Sequence, residues 1–473
     1  MNLYEELAER LKTGIRQGLY APGQKVPSVR RYSSQQQASA ATVVAAYRLL
    51  EAQGWLEARP QSGYFVCLPD TLPPRATQTC EDAAPCQVSV SGLAVRLYQA
   101  TQREGLISLG AAVPHPDLLP TRDLREATSR AMRRSPEASC RYSFPPGEKT
   151  LRLQIARRGA EAGCAFDPEE IQVTCGTQES IHLALRAITR PGDVVAIESP
   201  AFFGTLQAIE SMGLKVLEVP CDGDGISLEA LAMALERWPV KAVLVVANFS
   251  NPSGSLMPDA RKRQLVMMLV ERDIPLVEDD IYGDLAHDRI RPHAAKAYDT
   301  TGNVLYCGSF SKTLAPGCRV GWLVPGRWGQ EVSQLKYVSS MATATLPQLA
   351  LAEYLASGRY ERHLVRLRRT VESNLLRAQT LIARHFPHDT RVSRPQGGFL
   401  LWVQMPQDCD AMRLYQAAID EGISISPGPL FSPQEKFRNC FRLSVALPWD
   451  SRVDNALARL GQLVGSQAIQ SPA

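Results

Sequence analysis

The chain has 473 residues, 45% hydrophobic and 21% charged, a composition that excludes disordered, collagenous and coiled-coil architectures and fits two or three domains of roughly 100–200 residues each. Its 52 basic and 48 acidic side chains leave a net charge of +4, too mild to identify a partner. The best apolar run, Ala242 to Ala247, is strand length and far short of the roughly 20 residues that span a bilayer, so no membrane partner is expected.

The chain starts MNLYEELAER, with acids where a signal peptide needs a basic and then an apolar run. Tyr4, Leu7, Leu11 and Ile15 fall at helical spacing, with a stop at Gly18 and a turn at Pro22-Gly23. Pro27-Ser28 opens a second short helix. Ser39 caps a third, on which Val43, Tyr47 and Leu50 share a face until Gly54. Trp55 to Ala58 and Tyr64 to Val66 then read as the strands of a hairpin around RPQSG. Three helices and a hairpin in residues 1–68 outline a winged helix-turn-helix whose third helix can enter a major groove of double-stranded DNA. Residues 69–92, rich in Pro, Thr and Ser and without periodicity, read as a moderately extended linker.

Residues 93–473 alternate apolar runs with amphipathic stretches. Val194 to Ile197, Val243 to Ala247, Pro275 to Val277 and Val304 to Tyr306 read as buried strands, with helices over 228–237 and 260–272. That alternation predicts an α/β domain with a mostly parallel sheet. Each run ends in a polar cluster, ESPAFFG, NFSNPSG, EDDIYGD or GSFSK, and ligands of open α/β sheets gather beyond the carboxyl ends of the strands. The eleven cysteines contain no C-x-x-C pair, which argues against zinc and a disulfide framework and for a reducing, cytoplasmic setting.

Taken singly, these clusters have bland meanings as well. Lys312, between a strand end and Arg319, is suited to imine chemistry if its amine is kept neutral, but the pattern alone also fits a surface lysine. Asp279 and Tyr282 could serve a pyridine ring, or form a solvated turn. Asn251 could donate to a phenolate oxygen from its tight NPSG turn, and Phe202 could stack on a ring or sit in the core. The N–H groups of Thr177 and Gln178 open a helix toward an anion, and Ser309, Ser311 and Arg319 supply phosphate donors. Arg442, in the apolar strand NCFRLSV, must pair with an acid or await a carboxylate ligand.

The order GTQE, PAFFGT, NPSG, EDDIY, SFSK with an arginine seven residues on, and a late FRLS resembles the fold-type I aminotransferases, which use pyridoxal 5′-phosphate. GLYAPGQKVPSVRR and TVVAAYRLLEAQGWLEARPQSGYFV resemble the GntR regulators. Together they resemble the MocR subgroup: a winged helix joined to an aminotransferase-like domain with a small C-terminal α/β subdomain. The resemblance implies that Lys312 carries the cofactor as an aldimine and that Asp279 pairs with its ring nitrogen. Asn251 and Tyr282 would contact the phenolic oxygen and Phe202 would stack on the ring. Thr177, Gln178, Ser309, Ser311 and Arg319 would form the phosphate cup. Tyr142, in RYSFPPGEK, would reach the phosphate of the neighbouring subunit of a homodimer, in which one chain's DNA-binding domain can pack on the other's large domain. Arg442 would receive the carboxylate of an amine or amino-acid effector. Ser28, Arg30, Ser39 and Thr42 would contact an operator of two half-sites.

Two departures stand out. The subgroup's usual Leu-Gly-Val-Ser-Arg-x-Thr-Val reads Gln36-Gln37-Ala38-Ser39-Ala40-Ala41-Thr42-Val43, so an arginine and a turn glycine are replaced. With 8 basic minus 5 acidic residues, residues 1–68 carry only +3, which predicts altered sequence preference and lower affinity per domain. Where glycines usually admit ligand, Gly110-Ala111-Ala112 adds two methyl groups. The expected function is a transcription regulator sensing an amine, an amino acid or the cofactor itself at Lys312. The alternative is a working aminotransferase with a secondary DNA-binding domain. A plain DNA-binding protein with an inert partner domain would make the ordered clusters a coincidence.

Overall fold

A computed structural model describes residues 2–16, 19–20, 24–52, 55–59, 62–66, 84–100, 105–288 and 290–470. Gly18, the Pro22-Gly23 turn, Gly54, part of the RPQSG turn, residues 67–68 and residues 69–83 of the expected linker lie outside them.

The first unit is built from α1 (Leu3–Arg16), α2 (Val29–Gln36), α3 (Ala40–Ala52) and the antiparallel hairpin β1 (Leu56–Arg59) and β2 (Gly63–Val66). The apolar stripe read from the sequence is its core: Leu7, Leu11 and Ile15 of α1 pack with Val43, Tyr47 and Leu50 of α3, and with Tyr32, Trp55 and Val66. Ser28 caps α2 by accepting from the Arg31 N–H (3.3 Å), and Ser39 caps α3 by accepting from the Thr42 N–H (3.1 Å). The unit rests on its own chain's large domain. Lys12 Nζ lies 3.2 Å from the Glu372 carboxylate of helix Arg359–His385, and Leu376 of that helix packs against the unit's core.

The linker ends sooner than its composition suggests. Cys86–Gln87 forms β3, an antiparallel edge strand on Lys215–Asp222, and α4 (Ser91–Ala100) follows directly. The Glu210 carboxylate holds the start of α4, accepting from the Val90 and Ser91 N–H groups and the Ser91 hydroxyl. These bonds order residues that carry no apolar periodicity of their own.

The large domain is built on a nine-stranded sheet. From the β3 edge, Lys215–Asp222, Val194–Ser199, Val240–Val245, Leu276–Asp279 and Val304–Ser309 run parallel; Gly321–Val324 is antiparallel, and Gln172–Thr174 closes the far edge. Three of the central strands are buried along their whole length, as strands covered on both faces must be. The helix read at 228–237 is observed as Leu228–Arg237, capped by Ser227, and that at 260–272 as Asp259–Glu271. A small antiparallel sheet of Arg391–Val392, Leu400–Gln404, Cys440–Ser444 and Ser426–Pro427 forms the C-terminal subdomain. Helix Arg359–His385 braces it: Asn374 donates to the carbonyls of Val445 and Leu447.

Candidate functional site

The polar clusters meet as the parallel sheet requires, beyond the carboxyl ends of adjacent strands. A cavity of about 140 Å³ is lined by Thr177, Gln178, Phe202, Asn251, Asp279, Tyr282, Ser311, Lys312 and Arg319, with Ile181, Val246 and Ile281 as apolar wall. Nine of the predicted residues thus share one space.

Lys312 follows the strand Val304–Ser309, and its Nζ donates to the Ala112 carbonyl at 2.7 Å. Withdrawal from water, and then the charge of Arg442, lower its pKa to about 8, while Asp279 pulls the other way. At pH 7 about a tenth of such a lysine is neutral, against about one part in 2,500 at the ordinary value near 10.4. Asp279 closes its strand fully buried, and burial together with the Asp280 charge lifts its carboxyl to about 7. Its Oδ1 has no hydrogen-bond partner among the described residues, and neither has the buried Thr177 hydroxyl. A buried acceptor and a buried hydroxyl left open in one cavity are what a protonated ring nitrogen and a phosphate would satisfy. The residues therefore fit pyridoxal 5′-phosphate.

Arg442 sets the orientation of Asn251. The guanidinium donates to Asn251 Oδ1 at 2.8 Å, which turns Asn251 Nδ2 toward Tyr282 Oη, 3.4 Å away. A guanidinium only donates, so the amide cannot be the other way round. The same arginine donates to the Gly110 carbonyl and the Ser426 hydroxyl and lies over the Phe431 ring, 5.2 Å from its centroid.

The phosphate cup holds one correction. Ser311 reaches the cavity wall but Ser309 does not: its hydroxyl donates to the Val320 carbonyl and accepts from the Ser311 N–H. Ser309 supports the turn that presents Ser311. Gly176, at φ +80°, opens the helix Thr177–Ile188, and a side chain there would meet Arg319 Nη2 at 2.6 Å. Glycine lets the guanidinium lie against a helix N-terminus, where the open N–H groups already favour an anion. Gln178 spends its side-chain amide on the Gly204 carbonyl (2.7 Å).

A second cavity of about 60 Å³ adjoins the first through Phe202 and Lys312 and is bordered by Arg442. Ala111 and Ala112 both line it. Tyr142 lines neither cavity; it is 70% exposed and joins a ring stack with Phe144 and Tyr337. Of the expected DNA contacts, Ser28, Arg30 and Ser39 are exposed and Thr42 is half-buried; both serine hydroxyls also cap helices. Sequence reasoning missed the Ala112 and Gly110 carbonyls, which any residue could supply, and Ser426, which no motif marks.

Among the described residues no cluster could hold a metal ion and no helix is long and apolar enough to cross a membrane.

Residues 105–460 match the class I and II aminotransferase family and residues 3–66 match the bacterial regulatory proteins of the gntR family. The HTH-type transcriptional regulator YjiR of Escherichia coli K12 is 37% identical, covering 98% of this chain and 99% of its own. The kynurenine aminotransferase of Pyrococcus horikoshii, solved with PMP, superposes with a TM-score of 0.74 at 27% identity over 80% of this chain and 95% of that one. LysN, the alpha-aminoadipate aminotransferase of Thermus thermophilus, solved with N-(5′-phosphopyridoxyl)-L-leucine, gives 0.73 at 29% identity over 81% and 97%. With a GntR helix-turn-helix ahead of a pyridoxal-phosphate-type aminotransferase fold and a regulator matching along its whole length, the chain belongs to the MocR subgroup of GntR-family regulators.

Proposed function

We propose that the protein is a cytoplasmic, dimeric transcription regulator that loads pyridoxal 5′-phosphate in the Lys312 cavity and senses an amine, an amino acid or the cofactor there. The observation that carries this reading is the pairing, in one chain, of a packed winged helix with a cavity whose Lys312, Asp279, Asn251, Tyr282, Thr177, Ser311 and Arg319 match the cofactor's functional groups.

When bound, the cofactor supplies an aldehyde that primary amines add to and a ring that draws electrons. Lys312 is the resident amine, brought toward its reactive neutral form by burial. Asp279 would keep a proton on the ring nitrogen, Asn251 Nδ2 and Tyr282 would donate to the ring oxygen, and Phe202 would cover a ring face. Arg442 would take an effector's carboxylate. The exposed rings of Tyr142, Phe144 and Tyr337, with Val338 and Met341 beside them, support a second copy covering this face, since monomers rarely leave such clusters open. An effector can shift DNA affinity only by its preference between two arrangements, and about 1–3 kcal/mol is typical.

The test is fluorescence anisotropy of cofactor-loaded protein on the DNA upstream of its own gene, beside a scrambled duplex at equal salt. Selective binding that shifts on adding an amine is expected, and footprinting should show two half-sites; a single half-site held by a monomer would refute the dimeric reading. Lys312→Ala should abolish the visible absorbance of the loaded protein, and an unchanged spectrum would displace Lys312 from its role. A second reading, a working aminotransferase, is favoured by the completeness of the cavity. Sustained turnover with an amino donor and a keto acid, without selective DNA binding, would establish it instead.

A further inference from the structure

One helix holds both the turn that carries Lys312 and the seat of the winged helix. Arg359–His385 runs for 27 residues without a break, about 40 Å at 1.5 Å per residue. Its Leu364 belongs to one core of the large domain, and Leu367, Val371 and Leu375 belong to another. A helix packed in this way moves as a body.

Its first turns close on Thr313, the residue after Lys312. Thr313 is buried, and both of its polar groups are met from this helix. Tyr360 Oη lies 2.7 Å from the Thr313 hydroxyl, and His363 Nε2 donates to the Thr313 carbonyl at 2.6 Å. A carbonyl only accepts, so the His363 proton sits on Nε2; Arg366 donates to Nδ1 at 3.4 Å, and burial favours the neutral ring by lowering its pKa. The same turns hold the loop after Tyr282. Tyr360 Oη is 3.0 Å from the Asp284 carboxylate, and Arg368 Nε donates to the Asp284 carbonyl at 2.6 Å. Further along the same helix, about 14 Å beyond His363 at 1.5 Å per residue, stands Glu372. It meets Lys12 at 3.2 Å, and Leu376 packs against the core of the winged helix.

Resting on the reading of Lys312 as the residue that takes up the cofactor, we propose that Tyr360 and His363 are positioning residues of the Lys312 turn, and that through them helix Arg359–His385 carries the state of the cavity to the seat of the winged helix. Lys312 Nζ donates to the Ala112 carbonyl, a bond it gives up when its amine engages a cofactor. The neighbouring Thr313 then either parts from Tyr360 and His363 or takes them with it. Parting strands a buried carbonyl and a buried hydroxyl, which is strongly disfavoured, so the first turns of the helix follow. Small shifts of packed helices of this kind relay a change from one site to another. The Lys12–Glu372 pair is sensitive to such a shift, because a mostly buried charge drawn away from its partner is penalised.

The test is hydrogen exchange of the α1 amides in the full-length protein, with and without pyridoxal 5′-phosphate, loading being followed by visible absorbance. In the unaltered chain, loading should change exchange over Leu7 to Ile15 by roughly threefold or more. Tyr360→Phe removes the hydroxyl and His363→Leu the donor, and each should bring the loaded-to-unloaded ratio close to one. His363→Gln, which returns an N–H donor to the place of Nε2, should recover it. The ratio compares each variant with itself, so a general loss of stability does not produce this pattern. Thr313→Val, which removes the hydroxyl and keeps the shape, gives the same reading should a helix variant fail to fold. A ratio unchanged by Tyr360→Phe, His363→Leu and Thr313→Val overturns the role of these residues. A ratio of one in the unaltered chain, with the visible absorbance present, overturns the link and leaves the cofactor reading intact. Absence of that absorbance after loading would overturn the reading of Lys312 and the link with it.

Discussion

Gln37 ends α2 with φ +51°, in the left-handed region, its N–H donating to the Ser33 carbonyl. This is the position where the subgroup's pattern has glycine, and a side chain there crowds its own carbonyl. Gln37→Gly should stabilise the winged helix by about 0.5–1 kcal/mol, read as a higher urea midpoint for α1–α3 by hydrogen exchange in the intact chain. Asp279 offers a pH test. Folded, it holds its proton to about pH 7, whereas an unfolded aspartate loses it near 3.9. The native state therefore binds more protons across that window, and stability falls as pH rises through it. In cofactor-free protein, Asp279→Asn should remove part of that fall. The same change should weaken cofactor binding about 10- to 100-fold by dialysis, since a hydrogen bond to a charged group is worth roughly 1.5–3 kcal/mol. Residues of this kind were legible because each follows an apolar run that ends abruptly in polar chemistry. Arg442 was legible as an isolated charge in an apolar strand, but its bond to Asn251, 191 positions away, exists only once the small subdomain folds over the sheet.

Elements were legible where periodicity and caps agreed. Ser227 and the leucines after it mark Leu228–Arg237 to the residue, and the buried face of α3 is the one spelled by Val43, Tyr47 and Leu50. β3 was not, because two residues cannot display alternation and Glu210, which orders the following turn, is over a hundred positions away. The seat of α1 on helix Arg359–His385 was equally hidden. Lys12 and Glu372 are 7% and 15% exposed, with the Lys12 ammonium 5.2 Å from the centroid of the Trp55 ring. Removing one member of such a pair strands the other charge, whereas removing both need not destabilise. Glu372→Gln should accelerate hydrogen exchange in α1, and adding Lys12→Met should recover much of the loss, with a coupling of about 1–3 kcal/mol. Additive effects in that cycle would deny the pair any share in seating the domain.

At the scale of the whole molecule, α4 is the piece that meets both functions. It follows β3, where the chain from the winged helix joins the large sheet, and its Ala94 borders the smaller cavity beside Lys312 and Arg442. A ligand pressing on that wall therefore acts beside the root of the tether. The early end of the linker sets a further, metric limit. From the last residue of β2, Val66, to the first of β3, Cys86, is 20 residues, which can span at most about 70 Å in any conformation. Deleting residues 70–79 would halve that to about 35 Å, one turn of DNA at roughly 34 Å. Affinity for an isolated half-site should then be unchanged, while the advantage of a two-half-site operator over it should fall at least tenfold in anisotropy titrations. On the dimeric reading proposed above, fixing the tether at Cys86 rather than seven residues later makes its length a setting of effective concentration: it decides how often the second winged helix meets its half-site once the first has bound, and so how much avidity the operator can return.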